Sequence, residues 1–487
     1  MKIIIKFSPE ITIKSRAVRI FFIKILIVNI KTILKKNKEP TSIIRHWDYL
    51  EIRSNNNQKI CAILTNIPGI HHFLLVKESV FNSLKDIYKN VTLNLNCNIE
   101  LSGKDFCVRV KRHGAHNFTS QEVEHYLGKK LCQHINNTRV NLIKPDRIVY
   151  LEIKNNQLFI ILERFEGLGG LPIGTQQELI SLISGGFDSA VASYMLIRRG
   201  CKVNYCFFNL GTPMHTIEVS RIIYYLWNKF SSSHKIKFIS IDFSEVIKEI
   251  VSKIKDNQIG IVLKRMMIRS ASLVADRWNI TALVTGEALG QVSSQTLTNL
   301  ALIDSVSNHI IFRPLISYDK EKIINLAREI GTETFSKSVP EYCGTISQKS
   351  AAKTTKKRIE LEENNFDFTI LDRAVSQSCI IDVQNIPDQI TSQHLFEVET
   401  KKILNNNDII LDIRTETEQK NNPLYLTTNI KIKKIPFYKL IDQFSKLDPN
   451  KVYALYCDHG IMSRLQAIYL YKQGFRNIKI YRPPLSR

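Results

Sequence analysis

Cysteine is scarce and poorly spaced for metal. The 487 residues hold nine, and no two of them form a C-x-x-C pair. The usual zinc and iron–sulfur ligand patterns are therefore missing. Nine in so long a chain are also too few for a disulfide framework. That points to a reducing cytoplasm, where cysteine chemistry is catalytic or redox-based. Long apolar runs are lacking too. The longest apolar stretch, 20–33, is broken by Lys24 and Lys31 and reads as an amphipathic helix. A membrane span needs roughly 18 unbroken apolar residues, so no membrane role is expected. The opening MKIIIKFSPE is too short in its apolar run for a secretory signal. A Walker A loop, GxxxxGK[ST], occurs nowhere in the chain. Acidic residues are outnumbered, 45 Asp and Glu against 68 Lys and Arg, for a net charge of +23.

The hydrophobic share is 44% and the charged share 23%. These are ordinary globular values, which exclude a wholly disordered chain and leave room for about three domains. The positive charge is unevenly placed. Residues 1–174 carry 27 basic against 14 acidic residues, and the remaining 313 carry 41 against 31. The first third is about twice as basic per residue as the rest. A basic module points to a polyanion partner. The alternative is compositional drift, since the chain is rich in Ile, Lys and Asn throughout.

Patterning divides the chain. Residues 1–60 mix a strand (1–7), a basic amphipathic helix (15–36) and strand-like alternation (42–54). Residues 61–165 form a second α+β stretch, with a strand at 106–110 and a helix at 120–134. A glycine-rich linker follows at 166–176. From 177 to 375 the spacing predicts alternating strands and helices, which argues for a parallel sheet with helices on both faces. Residues 351–407 read as a helical tail plus linker, the linker proper at 376–403. A small α/β unit fills 404–487.

Two loops carry chemistry. Ser184-Gly185-Gly186-Phe187-Asp188-Ser189 lies between an apolar strand and a helix start. Glycines let a ligand approach the backbone, and a helix N-terminus offers free N–H groups to a pyrophosphate. The bland reading is a capped strand-to-helix turn. The position at the C-terminal end of a parallel strand favours the ligand site. The second loop, Cys457-Asp-His-Gly-Ile-Met-Ser463, also joins a strand to a helix. Successive backbone N–H groups there stabilise a sulfur anion and could hold a persulfide. The bland reading is a buried small apolar side chain.

Weaker signals lie around these two. Cys343 sits between Tyr342 and Gly344 on a Pro- and Gly-flanked loop. Lys264, Thr285-Gly286-Glu287, Ser293–Thr296 and Lys320 fall where the ligand edge of the sheet is expected, though each alone reads as a solvated charge or a cap. Met266 and Met267 read as core. In the basic third, Arg109, Lys111 and Arg112 cluster at a strand end before Phe118, which fits phosphate contacts as well as it fits a solvated strand end. His71-His72 has no acidic cluster beside it and reads as structural.

Taken together, these segments resemble the tRNA sulfurtransferase family, the 4-thiouridine synthetases also tied to thiamine thiazole synthesis. The carriers are Ile11–Ser15, Ile67–His71, the linker Glu166–Gln176, Ser184–Ser189, Leu263–Met267, Thr285–Asn299, Pro340–Gly344 and the Cys457 loop. The resemblance implies an α/β multidomain chain. It would comprise a ferredoxin-like α+β domain, a THUMP domain, a parallel-sheet PP-loop domain and a C-terminal rhodanese-like domain. It implies ATP contacts at Leu182, Ile183, Lys264, Gly286 and Gln295, with the phosphates on Ser184, Gly185, Gly186 and Ser189. Asp188 and Lys320 would be needed for activity. Cys457 would bear the persulfide, and Cys343 would be its disulfide partner. ATP with Mg²⁺, tRNA, a cysteine desulfurase, a sulfur-carrier protein and a reductant such as thioredoxin are the implied cofactors and partners, with a homodimer among the assemblies allowed. One feature departs from the rhodanese pattern. Asp458-His459 occupy the early loop where an arginine is common; an acidic Asp458 should oppose a thiolate, with His459 and Arg464 as the expected offsetting charges. The rival reading is a tRNA-binding module whose chemistry has decayed.

Overall fold

The structure is a computed structural model. It describes residues 1–487 apart from 55, 96, 211–212, 256, 338–352, 389–397, 402–403, 406, 415–418, 421, 425–429, 437–438, 459–462, 464–465, 468–469, 472 and 484–487. Two compact units emerge, Met1–Pro172 and Ile173–Arg487.

The first unit is built on one eight-stranded sheet. Its strands are β1 (Lys2–Phe7), β2 (Ile43–Arg45), β3 (Tyr49–Arg53), β4 (Ile70–Val80), β5 (Asp105–His113), β6 (Arg139–Val140), β7 (Arg147–Lys154) and β8 (Gln157–Glu166). Their order is β2-β3-β1-β4-β8-β7-β5-β6. The alternation expected over 42–54 is a hairpin, β2 with β3. The long β4 pairs with β1 on one side and β8 on the other, so a single sheet carries both α+β stretches. The helix Asn57–Leu64 runs across the expected 60/61 boundary.

Helix Arg16–Lys36 buries Phe22, Ile23, Leu26, Ile30, Ile33 and Leu34, the three- and four-residue spacing that lays one stripe on a sheet. Helix Ser120–His134 starts at a capping box. Thr119 Oγ1 accepts the Glu122 N–H, and the Glu122 carboxylate accepts the Thr119 N–H.

The second unit has two sheets. The larger contains β9 (Glu178–Leu182), β10 (Lys202–Asn209), β11 (Lys237–Asp242), β12 (Ala282–Val284), β13 (Ile310–Phe312) and β14 (Cys379–Asp382), in the order β13-β12-β9-β10-β11-β14. The first five are parallel. Strand β10 is buried almost end to end, as expected of a parallel strand covered on both faces. Ile180, Cys206, Phe208, Ile239 and Ile241 join helices Ile259–Arg277 and Thr369–Ser376 in one core. Ser181, on the opposite face, meets Ser193 of helix Phe187–Arg198, their hydroxyls 2.8 Å apart.

The segment read as linker from 376 is corrected in part. It opens with β14, which pairs antiparallel with β11. An edge strand has one open side, so its short Cys379-Ile380-Ile381 run lacks the long apolar signature of the central strands.

The smaller sheet holds β15 (Thr400–Lys401), β16 (Ile409–Asp412), β17 (Ile432–Lys434), β18 (Tyr453–Tyr456) and β19 (Ile478–Tyr481). All are parallel, in the order β15-β19-β18-β16-β17. Among the described residues, no helix is long and apolar enough to cross a membrane.

Candidate active site: a phosphate loop and a cysteine loop

The loop after β9 turns at Gly185, whose φ of +88° is the left-handed conformation glycine adopts at least cost. Gly186 then caps helix Phe187–Arg198. Two hydroxyls tie the turn. Ser184 N donates to Ser189 Oγ at 3.3 Å, and Ser189 Oγ donates to Gly186 O at 3.2 Å. A Cβ at Gly186 would meet only Ser184 Oγ, at 3.6 Å, an ordinary contact. The fold therefore leaves this position open to an approaching group.

Gly286 is the opposite case. A Cβ there would lie 2.5 Å from Asp188 C and Ser189 N, backbone atoms that cannot swing away. The turn after β12 is thus pressed onto the start of the loop's helix, and glycine is the residue that fits.

Asp188 points out of the first helical turn into a clasp. Lys320 Nζ donates to its two carboxylate oxygens at 2.9 and 3.1 Å, and Gln291 Nε2 donates to Oδ2 at 2.9 Å. Lys320 opens helix Lys320–Ile330, and its ammonium lies 5.6 Å from the Phe187 ring centre.

Lys264, in the second turn of helix Ile259–Arg277, reaches Glu287 Oε1 at 2.7 Å. Glu287 is buried and also accepts from Arg313 Nε at 2.9 Å and Thr285 Oγ1 at 3.1 Å. Burial pushes its carboxyl up, but the Lys264 and Arg313 charges outweigh that and hold it below the usual range. Gln295 is buried in a short 3₁₀ turn, Ser293–Gln295. Its Oε1 has no hydrogen-bond partner among the described residues, an acceptor a bound ligand could satisfy. Ile183 is buried and Leu182 half-buried at the end of β9.

Sequence reasoning passed over three residues here. Glu287 stood in a quoted triplet without a role. Gln291 gave no signal. His215 is buried, with Nε2 3.3 Å from Ser184 O, and its ring sits edge-on to Phe207 at 4.7 Å. Burial lowers its pKa, partly offset by that hydrogen bond. A neutral ring that donates to a carbonyl stiffens the loop.

The cysteine loop leaves the C-terminal end of β18. Cys457 Sγ accepts the Ser463 N–H at 3.2 Å and lies 3.4 Å from Ser463 Oγ. A backbone donor on the sulfur favours the thiolate. Burial pushes Cys61 up to about 12 and Cys97 and Cys201 up to about 11, and it pushes Cys206 up further still. Asp458 does not confront the sulfur alone, because Arg414 Nη1 donates to its Oδ1 at 2.8 Å. Cys343, His459 and Arg464 lie outside the described residues.

In the first unit, Arg109 and Lys111 are exposed on one face of β5, and Arg112 turns to Gly114 O. Phe118 packs partly into the core, and Met266 is fully buried. His72 is held neutral on β4, burial first and then Arg164 lowering its pKa to about 4.

Residues 174–368 match the family model described as thiamine biosynthesis protein (ThiI), 81–163 a THUMP domain, 2–73 a ThiI ferredoxin-like domain and 397–483 a rhodanese-like domain. The chain is 78% identical to the tRNA sulfurtransferase of Blochmanniella pennsylvanica and 54% identical to that of Escherichia coli K12. Each alignment covers 99% of this chain and all of the relative. Among solved structures, a 4-thiouridine synthetase–RNA complex with bound ATP matches with a TM-score of 0.69 and 26% identity, over 78% of this chain and 98% of that one. A Pyrococcus horikoshii protein, PH1313, shares the fold with a TM-score of 0.52 and 20% identity, over 68% of this chain and 100% of that one. Four domain matches in chain order and near full-length identity to named enzymes make this chain a sulfurtransferase belonging to the tRNA sulfurtransferase family.

Proposed function

We propose that the protein uses ATP to replace the C4 oxygen of uridine 8 in tRNA with sulfur, giving 4-thiouridine. The observation that carries the reading is the pairing, in one chain, of a glycine phosphate loop clasped by Lys320 and a cysteine whose sulfur accepts a backbone N–H.

The uridine C4 oxygen is a poor leaving group. It attacks the α-phosphorus of ATP, the bond from that phosphorus to the β-bridging oxygen breaks, and pyrophosphate leaves. The Ser184–Ser189 loop holds the departing phosphates through its backbone N–H groups, with Ser184, Gly185, Gly186 and Ser189 as contacts. Leu182, Ile183, Lys264, Gly286 and Gln295 hold the rest of the nucleotide. Asp188 keeps the Lys320 ammonium at the edge of that loop. Among the described residues, no group of three His, Cys, Asp or Glu side chains is placed to hold a metal. Mg²⁺ brought by the nucleotide would offset the charge of the triphosphate.

Sulfur arrives as a persulfide on Cys457, loaded by a cysteine desulfurase. Its terminal sulfur adds to C4, and AMP leaves with the original oxygen. The S–S bond to Cys457 must then be cut by a two-electron donor. The Cys343 thiolate attacks Cys457 and forms a Cys343–Cys457 disulfide, which a dithiol such as thioredoxin reduces. In the alternative order Cys343 attacks first and frees sulfide, with the same electron count. The same persulfide can serve a sulfur-carrier protein, whose adenylated C-terminus would become a thiocarboxylate for thiazole synthesis. Arg109, Lys111 and Arg112 contact tRNA phosphates, a sequence-independent grip suited to RNA shape. A cytoplasmic setting fits the redox steps.

Adenylation is tested without sulfur. Unmodified tRNA, α-³²P-labelled ATP and Mg²⁺ should give tRNA-dependent pyrophosphate release and label on the tRNA. In a parallel reaction with a sulfur-carrier protein added, ATP turnover that ignores tRNA and label on that protein instead would move the assignment to thiazole synthesis. No turnover would favour the decayed binding module.

A further inference from the structure

A carboxylate one residue from a sulfur anion should raise its energy. The structure shows how this chain deals with it. Asp458 Oδ1 accepts from Arg414 Nη1 at 2.8 Å, from the Tyr456 hydroxyl at 3.1 Å and from Asn422 Nδ2 at 3.5 Å. Arg414 is buried, its side chain 2% exposed. Asp412 grips it with both oxygens, Nε at 2.9 Å and Nη2 at 2.7 Å. Its guanidinium lies 5.0 Å from the Tyr456 ring centre, and Nη1 also donates to Asn422 O. Gln419 Nε2 donates to Asp412 O and Arg414 O, fixing the turn that carries the arginine.

The placement follows from topology. β16 and β18 are neighbouring parallel strands, with Asp412 level with Tyr456. Residues just past their C-terminal ends, Arg414 and Asp458, must therefore meet. Both ends of the cysteine loop are then pinned. Asp458 is pinned to Arg414, and the Cys457 sulfur to the N–H of Ser463.

We propose that Arg414 is a positioning residue for the cysteine loop: it holds Asp458 by its carboxylate, cancels that charge beside Cys457 and so permits the sulfur anion. The proposal rests on the reading of Cys457 as the sulfur carrier. One further titratable group interacts with the sulfur from a neighbouring element. Tyr224, on helix Pro213–Leu226, is buried and kept neutral by burial and by the nearby charges of Cys457 and Asp388. Asp412 stands behind Arg414 and is balanced by it.

The test is the pH profile of Cys457 alkylation by iodoacetamide in the full-length protein, read by peptide mass spectrometry. Asp458→Asn keeps the oxygen acceptor and removes the charge, so its profile should move to lower pH. Arg414→Gln should move it to higher pH and slow alkylation at pH 7 several-fold. Arg414→Gln with Asp458→Asn should recover most of that loss, which a merely structural role for Arg414 would not do. An unshifted Arg414→Gln profile, or a double variant no faster than the single, would overturn the proposal. If Arg414→Gln does not fold, Asp458→Asn decides alone, and an unmoved profile is the contrary result. Persulfide loading is read separately, as thiocyanate released by cyanide. Its absence in wild type would refute Cys457 as sulfur carrier while leaving the alkylation result interpretable.

Discussion

Lys320 Nζ stands 2.9 and 3.1 Å from the two carboxylate oxygens of Asp188, a residue 132 positions earlier in the chain. The pair joins the first turn of the phosphate-loop helix to the first turn of helix Lys320–Ile330, which follows β13 in the chain. It is half open to solvent, so its value is geometric and not a store of stability. Lys320→Met should leave the melting temperature nearly unchanged and lower the thiolation rate on the order of 10²-fold, the scale of a lost charged donor. Thiolation kinetics beside a thermal melt check this, and wild-type rates in Lys320→Met would contradict it.

The two glycines should separate under substitution. Gly286→Ala forces a Cβ against the Asp188 and Ser189 backbone and should cost about 1–3 kcal/mol. Gly186→Ala has room in the free protein and should cost under about 1 kcal/mol, yet weaken ATP binding. Denaturant melts and ATP titrations of both variants test the contrast. Equal destabilisation would mean that Gly186 serves the fold alone.

Glu287 gives the protein an acid-sensitive joint. Its carboxyl is held below the unfolded value of about 4.3. The stability it contributes is therefore complete above that pH and is lost as pH falls through the lower folded value. Wild type should lose stability on acidification below about pH 4, and Glu287→Gln should lack that portion of the fall. Glu287→Ala removes the shared partner of Lys264 and Arg313, while Arg313 keeps Asp304, and should cost about 1–3 kcal/mol at pH 7. Circular-dichroism melts from pH 3 to 7 decide, and parallel acid profiles for wild type and Glu287→Gln would refute the joint.

The thiols should sort by environment. Cys61, Cys97, Cys201 and Cys206 are buried, and burial pushes their thiols upward. Cys457 is buried to the same degree as Cys201, and its sulfur accepts the Ser463 N–H. With limiting iodoacetamide at pH 7.5, Cys457 should label at least about tenfold faster than those four. Labelling that follows exposure alone would contradict the role given to Ser463.

Local signals made the phosphate loop legible. An apolar strand, two glycines and a helix start fall within a dozen residues, and each step has its own sequence mark. The same holds for β10, for helix Ser120–His134 and for the cysteine at a strand end. What stayed hidden depends on contacts across the chain. Glu287 and Lys264 lie 23 residues apart and Arg414 and Asp458 lie 44 apart, so no period or motif announces the pairs. β14 escaped notice because an exposed edge strand needs little apolar surface. The shared sheet of the first unit was hidden for a related reason: β4 shows strand character locally, but nothing local says that it pairs on both sides.

The most direct test of sulfur transfer from Cys457 is thiolation of unmodified tRNA with ATP, Mg²⁺, cysteine, a cysteine desulfurase and reductant. The near-ultraviolet absorbance of 4-thiouridine is followed in wild type, Cys457→Ser and Cys343→Ser. Wild type should give ATP-dependent product, and neither variant should give any on repeated turnover. Undiminished product in Cys457→Ser would contradict sulfur transfer from Cys457.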